Sequence, residues 1–451
     1  MGFRGTRPAP DEGPRPRRFS MTIRRFGRLT AILAGALTVA ATTSAQAAKQ
    51  TVTYAFWGGQ EEYDLTKKLV SQFQGANPDI DIKLQQVDSN TYEQKLLVQI
   101  ASGTGPDVMV IRDASSSFMA RRGLFLDLNP LVKSTKMNTN VFDASTMKSY
   151  RLGAAQYGLP RSVTPDVVYF NKAMFDTAGL AYPKDTWTWA DFLKTSQKLT
   201  KDLNGDGKID QWGVFMVPWD ALFLPIVYSF GGNLITSDGA KATLLQKDTL
   251  AAFEFANDLI NKYHVAPPIK EANSYNWIEG FAQQKFAIIF QGRWATPIFI
   301  DAMTKAKSKF TFDVAPIPTG KLRKTVGYSD ALGILKGSKN PEAAFKWIQF
   351  VTGDVGQTVL GGPASLVVPA NKNIAKSLVS PGAQPENAQL FISEARYAFA
   401  PPQTPSFSAL YEILNRNLNE AFLGLKPMRD ALTKADKELD AMIKQANESL
   451  K

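Results

Sequence analysis

Short apolar runs with a period of two take turns with stretches that repeat apolar residues every three or four positions, and this alternation restricts the chain to an α/β fold. TVTYAFW, residues 51–57, places Val52, Tyr54 and Phe56 on one face of a strand. Leu65, Leu69, Val70 and Phe73 follow at helical spacing until Gly75 and Pro78 end the helix. DIDIKL alternates Ile80, Ile82 and Leu84 as a second strand. Asn90 and Glu93 have capping-box spacing for a helix that buries Tyr92, Leu96 and Ile100. DVMVI, residues 107–111, is a continuous apolar run suited to a buried parallel strand.

A second unit repeats the pattern. VVYFNKAMF leads to Thr188 and Asp191, another capping box, ahead of Trp189, Phe192, Leu193 and Leu199. KFAIIF (285–290) and FDVAPIP (312–318) read as buried strands. Asn340 and Pro341 suit the cap and first turn of a helix carrying Ala344, Ile348 and Val351, stopped at Gly353. Met428, Leu432, Leu439 and Ile443 give the last 25 residues an amphipathic helix. At 451 residues the chain exceeds one core of ordinary size, so two units are expected, and no low-complexity linker separates them.

The formal charge of +11 suggests an anionic partner until its location is examined. Eight arginines and two acids precede Ala48; without them 44 basic residues face 39 acidic ones, scattered and without a basic run. Nucleic acid is therefore not an expected partner. MTIRRFGRLTAILAGALTVAATTSAQA has a basic start, an apolar run from Leu29 to Ala40, and Ala45-Gln46-Ala47. This is the pattern of a signal peptide over 1–47, with Met21 as the fitting start and cleavage near Ala47. The apolar run of about 12 residues is too short to span a bilayer, so no membrane anchor is expected after cleavage. The absence of cysteine excludes a lipid-anchored cysteine, disulfides and thiolate chemistry, and the single His264 excludes a histidine metal cluster.

DLNGDGKIDQWG, residues 202–213, spaces Asp202, Asn204, Asp206, Lys208 and Asp210 like the first nine positions of an EF-hand loop. Gly213 stands where the bidentate glutamate belongs, and the Asn-Gly and Asp-Gly pairs suit tight turns without metal. No cofactor is required; a structural calcium ion is the alternative to a plain turn.

The order VTYAFWGGQEE, FQGANPDIDI, LLVQIASGTGPDVMVI, YGLPRSVTPDVVYFNK, NGDGKIDQWG, SFGGN, FAQQKFAIIFQGRW and LGILKGSKNPEAAFKWIQFVTG resembles the extracellular solute-binding proteins of carbohydrate ABC importers, maltose-binding-protein-like. The resemblance spans residues 50–450. It implies two Rossmann-like α/β lobes joined by hinge strands, the type II periplasmic binding protein fold. Lobe 1 would comprise 48–158 plus 313–366 and lobe 2 159–312 plus 367–451, with crossings near Gly158–Ser162, Ala315–Pro318 and Pro363–Pro369. Proline at such points limits which way a hinge can bend. The resemblance further implies a periplasmic monomer of Gram-negative type that hands a carbohydrate to permease subunits, with ATPase subunits beyond.

Ligands of open α/β sheets sit outside the carboxyl ends of the strands. That rule selects Trp57, Gly58, Gln60 and Glu61 after the first strand, and Asp113 and Ser115 after the third. The competing readings are a turn at Gly58 and a helix cap at Asp113. At family binding positions stand Arg161, Ser162 and Thr164; Trp219 and Asp220; Gly232 and Asn233 in SFGGN; and Gly292, Arg293 and Trp294. Tyr328 and Asp330 face the cleft in the same analogy, with Tyr397 or Phe407 from the C-terminal part. Core packing is the alternative for any tryptophan, and Trp187, Trp189, Trp212 and Trp347 are assigned to it. A buried Arg161 would favour an anionic ligand.

Three functions compete. The first is a sugar receptor without catalysis. The second keeps the fold and changes the ligand to a glycerol phosphoester, a polyamine or an acidic sugar. The third is a carbohydrate-cleaving enzyme using two of Asp113, Glu61 and Asp220, although no acid pair is spaced in a way that binding leaves unexplained.

Overall fold

Alternating Val52, Tyr54 and Phe56 build β1 (Gln50–Trp57), which buries that face and turns Ala55 to the other side of its sheet. The computed structural model describes residues 49–362, 366–376, 384–404 and 407–448, excluding the side chains of 407 and 408. The expected signal peptide and the Pro363 end of the third crossing lie outside the described residues.

The remaining strands are β2 (Ile80–Val87), β3 (Val108–Arg112), the small hairpin β4 (Arg151–Leu152) and β5 (Ala155–Gln156), β6 (Leu159–Pro165), β7 (Val167–Asn171), β8 (Trp212–Val214), β9 (Phe286–Gln291), β10 (Phe312–Ala315), β11 (Thr325–Ile334) and β12 (Ala398–Phe399). The first large sheet has the order β12-β11-β3-β1-β2, with β6 paired to the other edge of β11. The second has the order β10-β7-β9-β8. Strands β1, β2 and β3 are parallel, whereas β11 runs antiparallel to β3 and β6. The molecule is thus two α/β lobes, each a sheet flanked by helices, joined by strands that pass between the sheets.

Helices cover both faces of the first sheet, as buried parallel strands require. Gln60–Ala76 and Pro341–Thr352 pack Leu69, Phe73 and Trp347 against Tyr54 and Phe56. The Trp347 ring meets Tyr54 at 5.4 Å and Phe73 at 5.2 Å, both edge-on. Truncating such a ring to alanine costs about 3–5 kcal/mol. On the opposite face Tyr92 and Leu96 join Met109 and Ile111. The second sheet holds the largest core, which includes Trp187, Trp189 and Trp212, so all four tryptophans assigned to packing are buried.

Local signals fared unevenly. The box at Thr188 and Asp191 forms in full and opens the helix Trp189–Leu199. The box at Asn90 and Glu93 does not: Tyr92–Ala101 is capped at Thr91 without a side-chain bond. Glu93 accepts the Ser115 hydroxyl instead, so a tertiary partner takes the carboxylate that the cap would have used. The C-terminal helix Met428–Glu448 buries Met428, Leu432, Leu439 and Ile443, the stripe read from the sequence.

The chain changes sheets at one residue. β6 remains paired to β11 through Pro165 opposite Gly327, and β7 pairs with β9 from Val167 opposite Gln291. Asp166 lies between them, four residues beyond the crossing expected at 158–162. A third segment runs alongside, where the Val163 N–H donates to Val368 and the Ala370 N–H to Arg161. Arg161 within β6 is fully enclosed: Nη1 donates to Glu62 at 2.7 Å, and Nε and Nη2 fork onto Asp330 at 2.9 Å each. Arg161→Met would strand two buried carboxylates, so we expect a loss of about 3–5 kcal/mol in unfolding free energy, measured by guanidinium denaturation at pH 7.

Candidate functional site

β9 delivers five buried apolar residues and then Gln291, after which the chain bends at Gly292. A Cβ at Gly292 would lie 2.2 Å from the Trp294 ring, so only glycine lets the indole fold back over the strand end. The Trp294 indole N–H donates to Gln291 Oε1 at 2.8 Å, fixing the ring. Its edge meets Tyr328 of β11 at 5.5 Å and 68°. The Tyr328 hydroxyl donates to Asp220 Oδ2 at 2.8 Å, and Asp220 opens the helix Asp220–Phe230. Trp219, just before that helix, lies 5.5 Å from Trp277. These four rings are half-buried rather than enclosed. Aromatic surface from both lobes therefore surrounds a carboxylate at the carboxyl end of β9.

Beneath the rings lie polar groups without partners. Asp166 is 0% exposed, yet neither carboxylate oxygen has a hydrogen-bond partner among the described residues. Gln291 Nε2 and Arg293 Nε are likewise unsatisfied. Natural interiors leave few such atoms, and each calls for an explanation. Burial, reinforced by Asp220, pushes the Asp166 pKa well above the usual carboxylate range. Burial also raises Asp220, against the opposing Tyr328 hydroxyl bond and the Arg112 charge. Burial alone pulls the Arg293 guanidinium down. Its charge lies 5.5 Å over the Phe391 ring and faces no acid within ion-pair distance among the described residues.

Several residues expected to contact a ligand are engaged in bonds within the protein. Asp113 begins the helix Asp113–Arg121, but Oδ2 accepts the Ser329 N–H at 2.8 Å and its hydroxyl at 3.0 Å. Oδ1 accepts the Ala114 N–H, so the carboxylate is internally satisfied. Ser115 is committed to Glu93. Arg161 is flanked by two carboxylates, Glu62 and Asp330, so it has no positive charge to spare for an anionic ligand. Ser162 bridges to Pro369, and Thr164 Oγ1 accepts the Val368 N–H, so both serve the crossing. Gly232 packs its Cα against Thr249, and the Asn233 N–H donates to the Thr249 hydroxyl. They lie past the far end of the Asp220 helix, which at 1.5 Å per residue is about 16 Å long. Tyr397 has the Arg323 guanidinium 4.4 Å and the Arg396 guanidinium 4.8 Å from its ring centre. The Phe407 side chain lies outside the described residues.

The first-lobe rim keeps Trp57, half-buried with the Arg112 guanidinium 4.2 Å over its ring. Gly58 takes φ +135°, and its carbonyl and that of Gly59 accept from Gln86. Gln60 and Glu61 are exposed, with Gln60 donating to Asp64. The acidic loop is a turn: Asp202 accepts the Gly205 and Gly207 N–H groups, Asn204 that of Asp206, Asp206 that of Lys208, and Asp210 that of Leu203. Those oxygens are spent on backbone amides, and no group of three or more acidic or imidazole side chains among the described residues could hold a metal ion.

The sequence reading missed Asp166, Gln291, Trp277 and Arg112. The available signal was a carboxylate set between Pro165 and Val167-Val168, and an amide closing an apolar strand: polar groups where burial is certain.

The bacterial extracellular solute-binding protein family matches residues 57–358, and the chain belongs to that family. A Brucella abortus (strain 2308) protein named as a binding protein is 23% identical over 431 residues, covering 92% of this chain and 98% of that one. The maltodextrin-binding protein MdxE of Bacillus subtilis is 25% identical over 313 residues, 65% of this chain and 68% of that one. The Listeria monocytogenes ABC substrate-binding protein Lmo0181, solved in complex with cycloalternan, superposes with a TM-score of 0.78 at 23% identity. It covers 87% of this chain and 98% of its own, and it shares the fold. Among the described residues no helix is long and apolar enough to cross a membrane.

Asp113 supplies a pH signature. Burial raises its pKa from 3.8 to about 7 despite the Ser329 bonds. A raised folded-state value contributes stability below the unfolded pKa and loses it as pH climbs through the folded one. Wild-type unfolding free energy should therefore fall between pH 4 and 7 relative to Asp113→Asn, by on the order of 4 kcal/mol, and the gap should level off above pH 7. Paired urea titrations across that range check the trend.

Proposed function

We propose that the chain is an exported, non-catalytic receptor that captures a carbohydrate between its lobes, closes on it and presents it to an ABC permease. One observation carries this reading: the half-buried rings of Trp294, Tyr328 and Trp219 stand about the Asp220 carboxylate, with the unpartnered Gln291 Nε2 and Arg293 Nε on the residues that precede Trp294. A sugar hydroxyl both donates and accepts, and the apolar face of a pyranose ring suits an indole. An anionic ligand would explain only the donor half of that set. The names of MdxE and of the cycloalternan complex support the sugar class.

Closure follows from differential contact. Trp294, Trp219 and Asp166 belong to the second-lobe side, while Tyr328, Trp57 and Arg112 belong to the first. A ligand touching both groups favours the closed arrangement by the contacts it loses on opening. Micromolar affinity needs about 8 kcal/mol, within reach of two stacked rings and charge-assisted hydrogen bonds after desolvation. We also propose the lobe boundaries expected from sequence, with the first moved from 158 to Asp166, where the pairing changes sheet.

A thermal-shift screen of neutral, acidic, amino and phosphorylated sugars and polyamines tests the assignment. A sugar at 100 times its Kd should add about 2.7 kcal/mol of stability. Trp294→Ala should weaken that sugar at least about 30-fold in calorimetry. A melt moved only by organophosphates or amines overturns the sugar class, and steady release of reducing ends overturns the receptor role.

A further inference from the structure

We propose that residues 398–404 form an inter-lobe strap, a loop of the second lobe that seats on the first when the cleft is shut and so sets how readily it reopens. This rests on the lobe closure proposed above and not on the identity of the ligand. The segment leaves the second core and returns to it. Leu390 and Phe391 before it, and Leu410 and Leu414 of the helix Phe407–Phe422 after it, are buried in that core. Between these anchors the backbone reaches the other lobe, where the Thr404 N–H donates to the Ala114 carbonyl at 2.9 Å. Ala114 lies in the first turn of Asp113–Arg121, the helix that follows β3 directly and travels with the first sheet.

The second lobe holds the middle of the strap. Tyr228, in the helix Asp220–Phe230, donates its hydroxyl to the Ala400 carbonyl at 3.0 Å and sets its ring 6.4 Å from that of Phe399. A Cβ at Gly239 would stand 3.4 Å from the Gln403 carbonyl, so second-lobe contact continues up to the residue before the crossing bond. At the near end Ala398 and Phe399 pair with Thr325 and Val326, where β11 begins and where Val326 also accepts the Asp166 N–H. Pro401 and Pro402 are buried, and their fixed φ stiffens the stretch between the two attachments. A pull at Thr404 is therefore passed on to Tyr228 and not absorbed by the loop. Parting the lobes carries Ala114 away from Thr404, breaking a backbone hydrogen bond while both cores stay intact. The strap thus ties together the helices that begin with Asp113 and Asp220, one from each side of the cleft.

The chain has no cysteine, so Val98→Cys and Leu425→Cys, at positions 70% and 75% exposed on opposite lobes, can carry a dye pair. Single-molecule energy transfer on the ligand-free mature chain then reads the ratio of compact to extended molecules. Thr404→Pro deletes the crossing N–H and should lower that ratio about two- to tenfold, the net worth of one hydrogen bond. Tyr228→Phe frees the middle of the strap and should lower it in the same direction. Thr404→Ala keeps the N–H and should leave the ratio unchanged. Its melting temperature should hold or rise, because the buried Thr404 hydroxyl has no partner among the described residues. Should Thr404→Pro fold poorly, Tyr228→Phe decides. A ratio that neither variant lowers overturns the proposal, as does an equal fall in Thr404→Ala or a wild type without compact molecules. Any sugar found by the thermal-shift screen should lose affinity by the same factor in Thr404→Pro, with the order among sugars kept. Strap-dependent compaction in a chain that binds no sugar removes the sugar reading alone; a sugar binder whose compaction ignores both variants removes the strap alone.

Discussion

A single strand serves two sheets, and the rest of the molecule is arranged around that constraint. From Leu159 to Pro165 it is hydrogen-bonded to β11, and from Val167 to Asn171 to β9 and β10. Backbone amides cannot be left unpaired in an interior, so the transfer between partners must happen within one residue. Asp166 makes it: its N–H still donates to Val326 while its carbonyl takes the Thr325 hydroxyl. With the backbone satisfied, the side chain is left in an enclosed place with nothing of its own to bind. The polar demand of the site is thus created by the same geometry that joins the lobes.

The fold was legible because its signals are short-range and repeated. Alternation in β1, the unbroken apolar runs of β3 and β9, and the stripe of the C-terminal helix each report burial through period alone. The site was only half legible. Of the residues read as a site, Tyr328 meets both Asp220 and Trp294, and Trp219 adjoins Asp220 in the chain. The internal bonds of Arg161, Asp113 and Ser115 were not legible, because a charged or hydroxyl side chain after a strand looks the same whether it meets a ligand or a neighbour 22 to 216 positions away. Only tertiary contact tells the two apart. Asn90 and Glu93 taught the same lesson at a helix start.

Two kinds of buried ionisable group coexist in the first lobe and at the strand junction, and they differ in completeness. Arg161 with Glu62 and Asp330 is closed, each of its three nitrogens donating to a carboxylate. Asp166 and Arg293 are open. A closed network stiffens the hinge strand, since losing any member strands the others. An open one stores an unmet need that a guest can supply. The acidic turn at 202–210 belongs with the closed kind, its oxygens occupied by the backbone that it folds.

The missing side chain at Gly292 bears on how such a binder could change its diet. No larger residue fits there without ejecting the Trp294 indole, so the wall itself cannot drift in small steps. Position 291 is tied to the same wall, because its side chain holds the indole N–H, whereas position 293 carries no such veto. New tastes could be acquired at 293 while the stacking surface stays in place, which makes it the natural handle for anyone re-aiming the protein as a biosensor.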